Sequence, residues 1–407
     1  RVERYWNVDY RPKTRLSDAD ALEAFEEKLT EAVQLRMISD VPLGALLSGG
    51  VDSSVVVALM SKLSAQPVRT FSIGFAEESY NELPYAERAA HICRSNHNPK
   101  IVAGDAHALV PLLARHYGEP FADSSAIPSF LVSRMAREQV TVVLNGDGGD
   151  ELLGGYPRYA ISDFERFTST LVRGVVRPDD LASLAPMFTG SQLHQKIFRR
   201  LLLRYCSPEL NFAFMYSSFW DDLDRAQLLG QNHSPQLLPT WRRKWLKGAA
   251  DHADSAIDRM LWTDNRTYLP DDLMVKMDIA SMHTSLEARS PLLDHEIIEF
   301  CAGLEAHHKV RGGVGKYLLK KLALKYFPSD FVCRSKMGFA VPLADWLSGP
   351  LRQTVRATLL DKTLMAPLSA TRIQTELTQF ERGETRHASR IWALFMFGQW
   401  RLADAGS

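Results

Sequence analysis

Hydrophobic positions along this chain recur with two different periods, and the places where one gives way to the other mark out its elements. Leu22, Phe25, Leu29 and Val33 fall at helical spacing behind a Ser17/Asp20 start signal, which predicts a helix through about Gln34. The apolar run ending at Leu46-Leu47 predicts a strand; it breaks at Ser48-Gly49-Gly50-Val51-Asp52-Ser53-Ser54 and resumes as a helix over 55–60. Residues 68–73 alternate and are β-branched, predicting a second strand that ends at Gly74-Phe75. A helix over 81–94 turns Tyr85, Ala89 and Ile92 inward, and 100–102 forms a short third strand. Helices at about 105–117 and 126–138 precede an apolar strand at 140–144, which runs straight into Asn145-Gly146-Asp147-Gly148-Gly149-Asp150-Glu151.

The rest reads as helix. Arginines and leucines over 198–205 and the aromatics Phe212, Phe214, Tyr216, Phe219 and Trp220 indicate buried helical faces, with the aromatics as core. Residues 268–294 read as two amphipathic helical pieces joined at Pro291. Residues 1–16, with Tyr5, Trp6, Tyr10 and Pro12, read as an extended arm whose aromatics could pack against a neighbour. Strands alternating with helices predict a parallel sheet whose ligand crevice lies beyond the carboxyl ends of the strands. The loops after Leu47, Ile73 and Leu144 therefore converge.

Composition narrows the class. With 45% hydrophobic and 24% charged residues, 407 residues suffice for a large core. Lys+Arg and Asp+Glu both total 48, so net charge points to neither nucleic acid nor an anionic membrane surface. Cys93, Cys206, Cys301 and Cys333 stand too far apart for a zinc spacing or a disulfide scaffold, and they read as reduced thiols of a cytoplasmic protein. No apolar run approaches the length of a membrane span.

The chemistry gathers in three stretches. Adjacent glycines before a helix let backbone N–H groups approach an anion such as phosphate, and Ser48, Ser53 and Ser54 add hydroxyls. Gly50-Val51 replaces the Lys-Ser/Thr of the commoner phosphate loop, and Asp52 at the helix mouth calls for a cation between carboxylate and phosphate. The loop after Leu144 crowds three acids at a strand end, where cations or protons must balance them unless the loop is simply solvated. Lys316 stands where an apolar helix begins; a lysine there opposes the helix dipole unless an anion is near, although a solvated lysine is the alternative.

Ser48–Ser54 resembles the pyrophosphate loop of the ATP pyrophosphatases, which cleave ATP between its α and β phosphates. Residues 145–156 (Asn-Gly-Asp-Gly-Gly-Asp-Glu-Leu-Leu-Gly-Gly-Tyr) resemble the second signature of the glutamine-hydrolysing asparagine synthetases. Leu269-Pro270-Asp271-Asp272 with Ser285-Leu286-Glu287-Ala288-Arg289 resembles the third, and Gly312–Lys316 with 334–346 completes the match, so the resemblance spans about 17–402. Departures are Asn145 for serine, Asp147 for glutamate and Ile279 for arginine.

The resemblance implies an α/β fold: a doubly wound parallel sheet of the adenine nucleotide α-hydrolase type over 17–160, with a mostly helical part over 161–407 completing the synthetase domain. It implies ATP contacts from Leu46, Ser48, Gly49, Gly50, Asp52, Ser53, Ile73, Asn145 and Gly146, with Gly74 leaving room for the adenine. It implies Mg²⁺ at Asp52 and Asp150, Lys316 on the α-phosphate, Asp147 taking a proton from ammonia, and Glu287 and Arg289 on the acceptor side, although these two could equally pair on a surface. The implied reaction adenylates a carboxylate, in the first place the aspartate side chain, releases pyrophosphate and forms the amide with ammonia. Other carboxylates (a sugar uronate, a peptide, an amino-acid derivative) and a non-catalytic nucleotide-binding module are the rival readings. The arm resembles the segment that joins a glutaminase to the synthetase, and the sequence starts at Arg1 with Cys93 as its first cysteine. A glutaminase removed or supplied separately is the expectation, with ammonium as donor, no nucleic-acid or membrane partner, and room for a homodimer.

Overall fold

The structure, a computed structural model, describes residues 2–3, 5–75, 77, 80–102, 106–159, 219–220, 222–230, 240–334 and 341–405. The expectations for 198–205, Cys206, Phe212, Phe214 and Tyr216 lie outside the described residues, as do positions 335–340 of the last motif.

Five strands, β1 (Leu43–Leu46), β2 (Arg69–Gly74), β3 (Asn96–Ile101), β4 (Val142–Leu144) and β5 (Glu287–Arg289), form one sheet in the order β3-β2-β1-β4-β5. Every pairing is parallel. The chain builds outward from β1 to β2 and β3, then returns to the other side of β1 with β4, so the strand order reverses between β1 and β4. That switch point opens a crevice at the carboxyl ends of the two strands.

Helices cover both faces. On one, α1 (Asp18–Arg36) and α2 (Val51–Leu63) bury Phe25, Leu29, Val55 and Leu59 together with Leu318, Leu322 and Phe331 from far along the chain. Ser17 caps α1, its hydroxyl accepting from the Asp20 N–H, as the start signal predicts. Further helices are α3 (Leu83–Cys93), α4 (Ala106–Tyr117), α5 (Ala126–Arg137) and the short α6 (Gly149–Leu153). On the other face α4 and α5 pack Leu113, Ile127 and Phe130 against Phe71, Val143, Trp346, Ile391 and Phe395. Both layers thus draw on described residues beyond 160. Among the described residues no helix is long and apolar enough to cross a membrane.

Three expectations are corrected. Glu287-Ala288-Arg289, read as helix, is the fifth strand: three residues are too few for alternation to show, and the β4 edge that they pair with fixes their conformation. The third strand starts at Asn96 rather than Lys100, because at the sheet edge it carries polar, mostly exposed residues. The arm is docked on its own chain. Val8 and Tyr10 are buried, the Tyr10 N–H donates to the His252 carbonyl (3.2 Å) and the Thr14 N–H to that of Gly303 (2.9 Å), whereas Tyr5 is fully exposed.

Candidate functional site

Three segments meet at the switch point. The first is the loop from β1 into α2, where the Ser48 and Ser53 hydroxyls lie 3.0 Å apart and the Gly50 N–H donates to Ser48 Oγ (3.3 Å). Gly50 caps α2 without a side chain, so the first turn, which carries Asp52, presents its backbone donors to the crevice. The second is the loop from β4 into α6, and the third is 312–316. Glycine makes their close approach sterically possible. A Cβ on Gly149 would lie 2.2 Å from Asp52 Oδ1, and one on Gly155 would lie 2.0 Å from Asp150 Oδ1 and 2.1 Å from Lys316 Cε.

Lys316 closes the arrangement. Its backbone is left-handed (φ 56°), a conformation that costs a bulky residue about 1–2 kcal/mol, and its N–H donates to the Leu153 carbonyl (2.8 Å). Its buried ammonium lies 2.5 Å from Asp52 Oδ2 and 2.9 Å from Asp150 Oδ1. Burial opposes the ammonium's charge, but Asp52 and Asp150 outweigh it and hold Lys316 well above the usual lysine range. One base between two acids leaves an excess negative charge. Asp52 Oδ1 is buried and has no hydrogen-bond partner among the described residues. Two facing carboxylates with such an oxygen have the donor chemistry that a hard divalent cation takes.

The neighbours follow the same charge logic. Asp147 is pushed up by burial, and by Asp52 and Asp150, against the pull of Lys276. Its carboxylate accepts from Asn145 Nδ2 (2.7 Å), and Asn145 Oδ1 accepts from Ser290 Oγ (2.5 Å). Burial, aided by the Asp150 charge, brings the Glu151 carboxyl up to about 7, and the Tyr156 hydroxyl donates to it. Arg334 lies 4.0 Å from the Tyr85 ring centre and donates to the Gly49 carbonyl (3.0 Å), tying the last motif to the first loop.

The structure therefore brings together Ser48, Gly49, Gly50, Asp52, Ser53, Asn145, Gly146, Asp147, Asp150 and Lys316. Leu46 ends β1, and Ile73 stands one residue before the end of β2. At Gly74 an added Cβ would meet Asn81 Oδ1 at 2.4 Å and Leu83 at 2.7 Å, so no larger residue fits that strand end. Glu287 and Arg289 pair with each other (2.6 Å), and Arg289 Nη1 donates to the Arg36 and Ile38 carbonyls (2.9 and 2.8 Å). From the same motif it is Ser290, on Asn145, and Lys276, whose charge reaches Asp147, that join the site. The spacing of Asp272 and Lys276 could have pointed there; Asp123, the partner of Lys276, lies too far along the chain to be paired by spacing. Among the described cysteines, burial pushes the thiols of Cys93 and Cys301 up to about 12, which marks them as inert, and Cys333 is exposed.

The chain is 27% identical over 404 residues to asparagine synthetase [glutamine-hydrolyzing] 1 of Bacillus subtilis, which covers 97% of this chain and 61% of that protein. It is 23% identical over 411 residues to asparagine synthetase [glutamine-hydrolyzing] 3 of the same organism, covering 93% and 59%. It is 21% identical over 399 residues to amidase chyE of Penicillium rubens, covering 86% and 57%. The chain thus spans about three fifths of the length of these curated relatives. The asparagine synthase family model matches residues 24–402, the stretch that holds every converging loop, and the chain belongs to that family.

Proposed function

We propose that this chain is the synthetase part of an ATP-dependent carbon–nitrogen ligase. It adenylates a small carboxylate, the side chain of aspartate in the first place, and forms an amide with ammonia. The observation that carries this reading is the Lys316 ammonium held between Asp52 and Asp150 at the mouth of α2. The loop amides and serine hydroxyls receive the phosphates that leave. Asp52 and Asp150 would hold Mg²⁺, whose charge offsets that of the departing pyrophosphate. Lys316 turns its ammonium to the α-phosphate as the acceptor carboxylate attacks, where charge builds up. Asp147, already inclined to hold a proton, takes one from the attacking ammonia. Two of the relatives are named as glutamine-hydrolyzing, and ammonia is the form proposed to reach this site.

Pyrophosphate release, followed with ATP, MgCl₂, ammonium and a panel of carboxylates that includes aspartate, tests the reading. Acceptor-dependent release with equimolar AMP and amide is expected. ATP binding without release for any acceptor would instead support a nucleotide-binding module.

A further inference from the structure

A group of metal-ligand side chains stands where the arm enters α1, and the reading above leaves it unused. Asp18 is the first residue of α1, and His307 and His308 are neighbours on the short helix Ala306–Lys309. One ring nitrogen from each histidine and one Asp18 oxygen all lie within 4.8 Å of one another. The two ring centres are 4.1 Å apart. His307 and Asp18 are exposed, so solvent reaches the group, whereas the His308 side chain is fully buried.

The partners of His308 fix its tautomer. Its Nε2 faces the Leu16 carbonyl at 3.2 Å, and a carbonyl only accepts, so Nε2 carries the hydrogen. Nδ1 is then the lone pair of a neutral ring, the form that burial and the neighbouring His307 favour. This nitrogen is buried and has no hydrogen-bond partner among the described residues. It faces Asp18 Oδ1 across 3.5 Å, well beyond the 2.7–2.9 Å or about that of a charge-assisted hydrogen bond. Two electron-pair donors that face each other with no hydrogen between them are stabilised by a cation in the gap.

Asp18 has one acceptor position to spare, and it lies on the same side. A carboxylate offers about four such positions. Oδ2 accepts from Arg311 Nη1 (2.7 Å) and from the Tyr317 hydroxyl (3.1 Å), and Oδ1 accepts from Arg311 Nη2 (2.6 Å), so the remaining position belongs to the oxygen that faces His308. Two ligands held about 2.0–2.1 Å from a tetrahedral zinc lie about 3.4 Å from each other, close to the 3.5 Å found here. The outer contacts agree as well, since a ligating imidazole donates its other N–H to a carbonyl and a ligating carboxylate is itself hydrogen-bonded. Two imidazoles favour a borderline cation such as Zn²⁺, whereas the carboxylates of Asp52 and Asp150 suit Mg²⁺.

We propose that Asp18, His307 and His308 form a binding site for one zinc ion, with water completing a tetrahedral set. Bound there, the ion ties the start of α1 to the segment between Arg311 and Tyr317, which carries Lys316. The site goes beyond the ligase reading and stands without it. Co²⁺, whose tetrahedral complexes absorb strongly in the visible, is titrated into the full chain with MgCl₂ in excess to occupy Asp52 and Asp150, and Zn²⁺ is then added to displace it. The parent is expected to take one equivalent with tetrahedral bands and no sulfur-to-metal charge-transfer band, and Zn²⁺ should raise its Tm. His307→Gln, a change at an exposed position, should weaken Co²⁺ binding at least tenfold and remove most of that rise, with the metal-free Tm unchanged. Asp18→Asn, which keeps the outline of the side chain but not its charge, should weaken binding by a similar factor. No tetrahedral Co²⁺ in the parent, or equal affinity in the parent and His307→Gln, would overturn the assignment. A sulfur-to-metal band would do so too, by placing the ion on a cysteine.

Discussion

Two buried lysine–aspartate clusters have opposite stoichiometry. Beneath the arm, Asp258 is flanked by Lys309 (2.6 Å) and Lys13 (2.8 Å) and also accepts from Ser255 Oγ (2.8 Å). Lys13 also donates to the Ala302 and Leu304 carbonyls (2.7 and 3.0 Å), and both ammonium groups lie near the Tyr10 ring (4.7 and 5.2 Å). Two bases share one acid there, and protein groups satisfy the excess. At the phosphate loops one base serves two acids and an oxygen of Asp52 is left over. A closed cluster secures packing, whereas an open one retains charge for a ligand. The loop cluster should therefore answer to mutation in catalysis, and the arm cluster in stability.

The largest effect should come from the open cluster. Asp52→Asn and Asp150→Asn should each lower pyrophosphate formation by about 10³-fold, since each removes proposed cation charge. Melting without ligand should move little, because Lys316 keeps one carboxylate in either variant. Near-parental turnover in either would end that residue's metal assignment.

Asp258→Asn should behave in the opposite way. It leaves Lys309 and Lys13 uncompensated and should cost about 3 kcal/mol in denaturant unfolding, with kcat per folded molecule and the KM for ATP unchanged. Lost turnover in a variant that is still folded would erase the distinction between the clusters.

A smaller effect, about 10² in turnover with ATP affinity within a few-fold, is expected for Lys316→Met if Lys316 acts mainly on charge developing at the α-phosphate. The same variant sharpens the contrast. With its ammonium gone, Asp52 and Asp150 should bind Mg²⁺ more tightly, so MgCl₂ should raise the Tm of Lys316→Met more than that of the parent. An equal rise in both proteins would mean that the carboxylates do not share a cation.

The sequence makes the local half of this contrast readable and leaves the tertiary half hidden. The loop after β1, the acid-rich turn after β4 and the parallel sheet all show in glycine placement and in periodicity, because backbone geometry imposes them over a few residues. Lys316 is recognisable as out of place at a helix start, but its partner Asp52 lies 264 residues away. The arm's aromatics are conspicuous, yet only the folded chain shows that Tyr10 covers Lys309 rather than a neighbour. β5 is the converse case, since three residues show no alternation of their own and the β4 edge they pair with fixes their conformation. Strand geometry likewise turns the Glu287 and Arg289 side chains toward each other and the α1–β1 connection, contacts that spacing along the chain does not show.

The smallest effect concerns pH and isolates the arm cluster. Burial, reinforced by the neighbouring Lys13 charge and opposed by Asp258, brings Lys309 down to about 8. Unfolded, the same lysine holds its proton until about 10.4. Between those values the unfolded chain carries a proton that the folded chain has released, so raising pH favours the fold, whereas below 8 both states are protonated and the dependence vanishes. Lys309→Met removes this term and keeps Asp258 paired with Lys13. The stability difference between parent and Lys309→Met should therefore shift toward the parent by up to about 1.4 kcal/mol per pH unit from 8 to 10, and stay flat from 6 to 7. The difference, rather than either curve alone, is what matters, because the other lysines, tyrosines and cysteines titrate in both proteins and cancel. Turnover of Lys309→Met at pH 7 should match the parent's, as a closed cluster demands. Parallel stability curves would mean that Lys309 stays charged in the fold throughout this range, and that Asp258 outweighs burial beneath the arm just as its counterparts do at the phosphate loops.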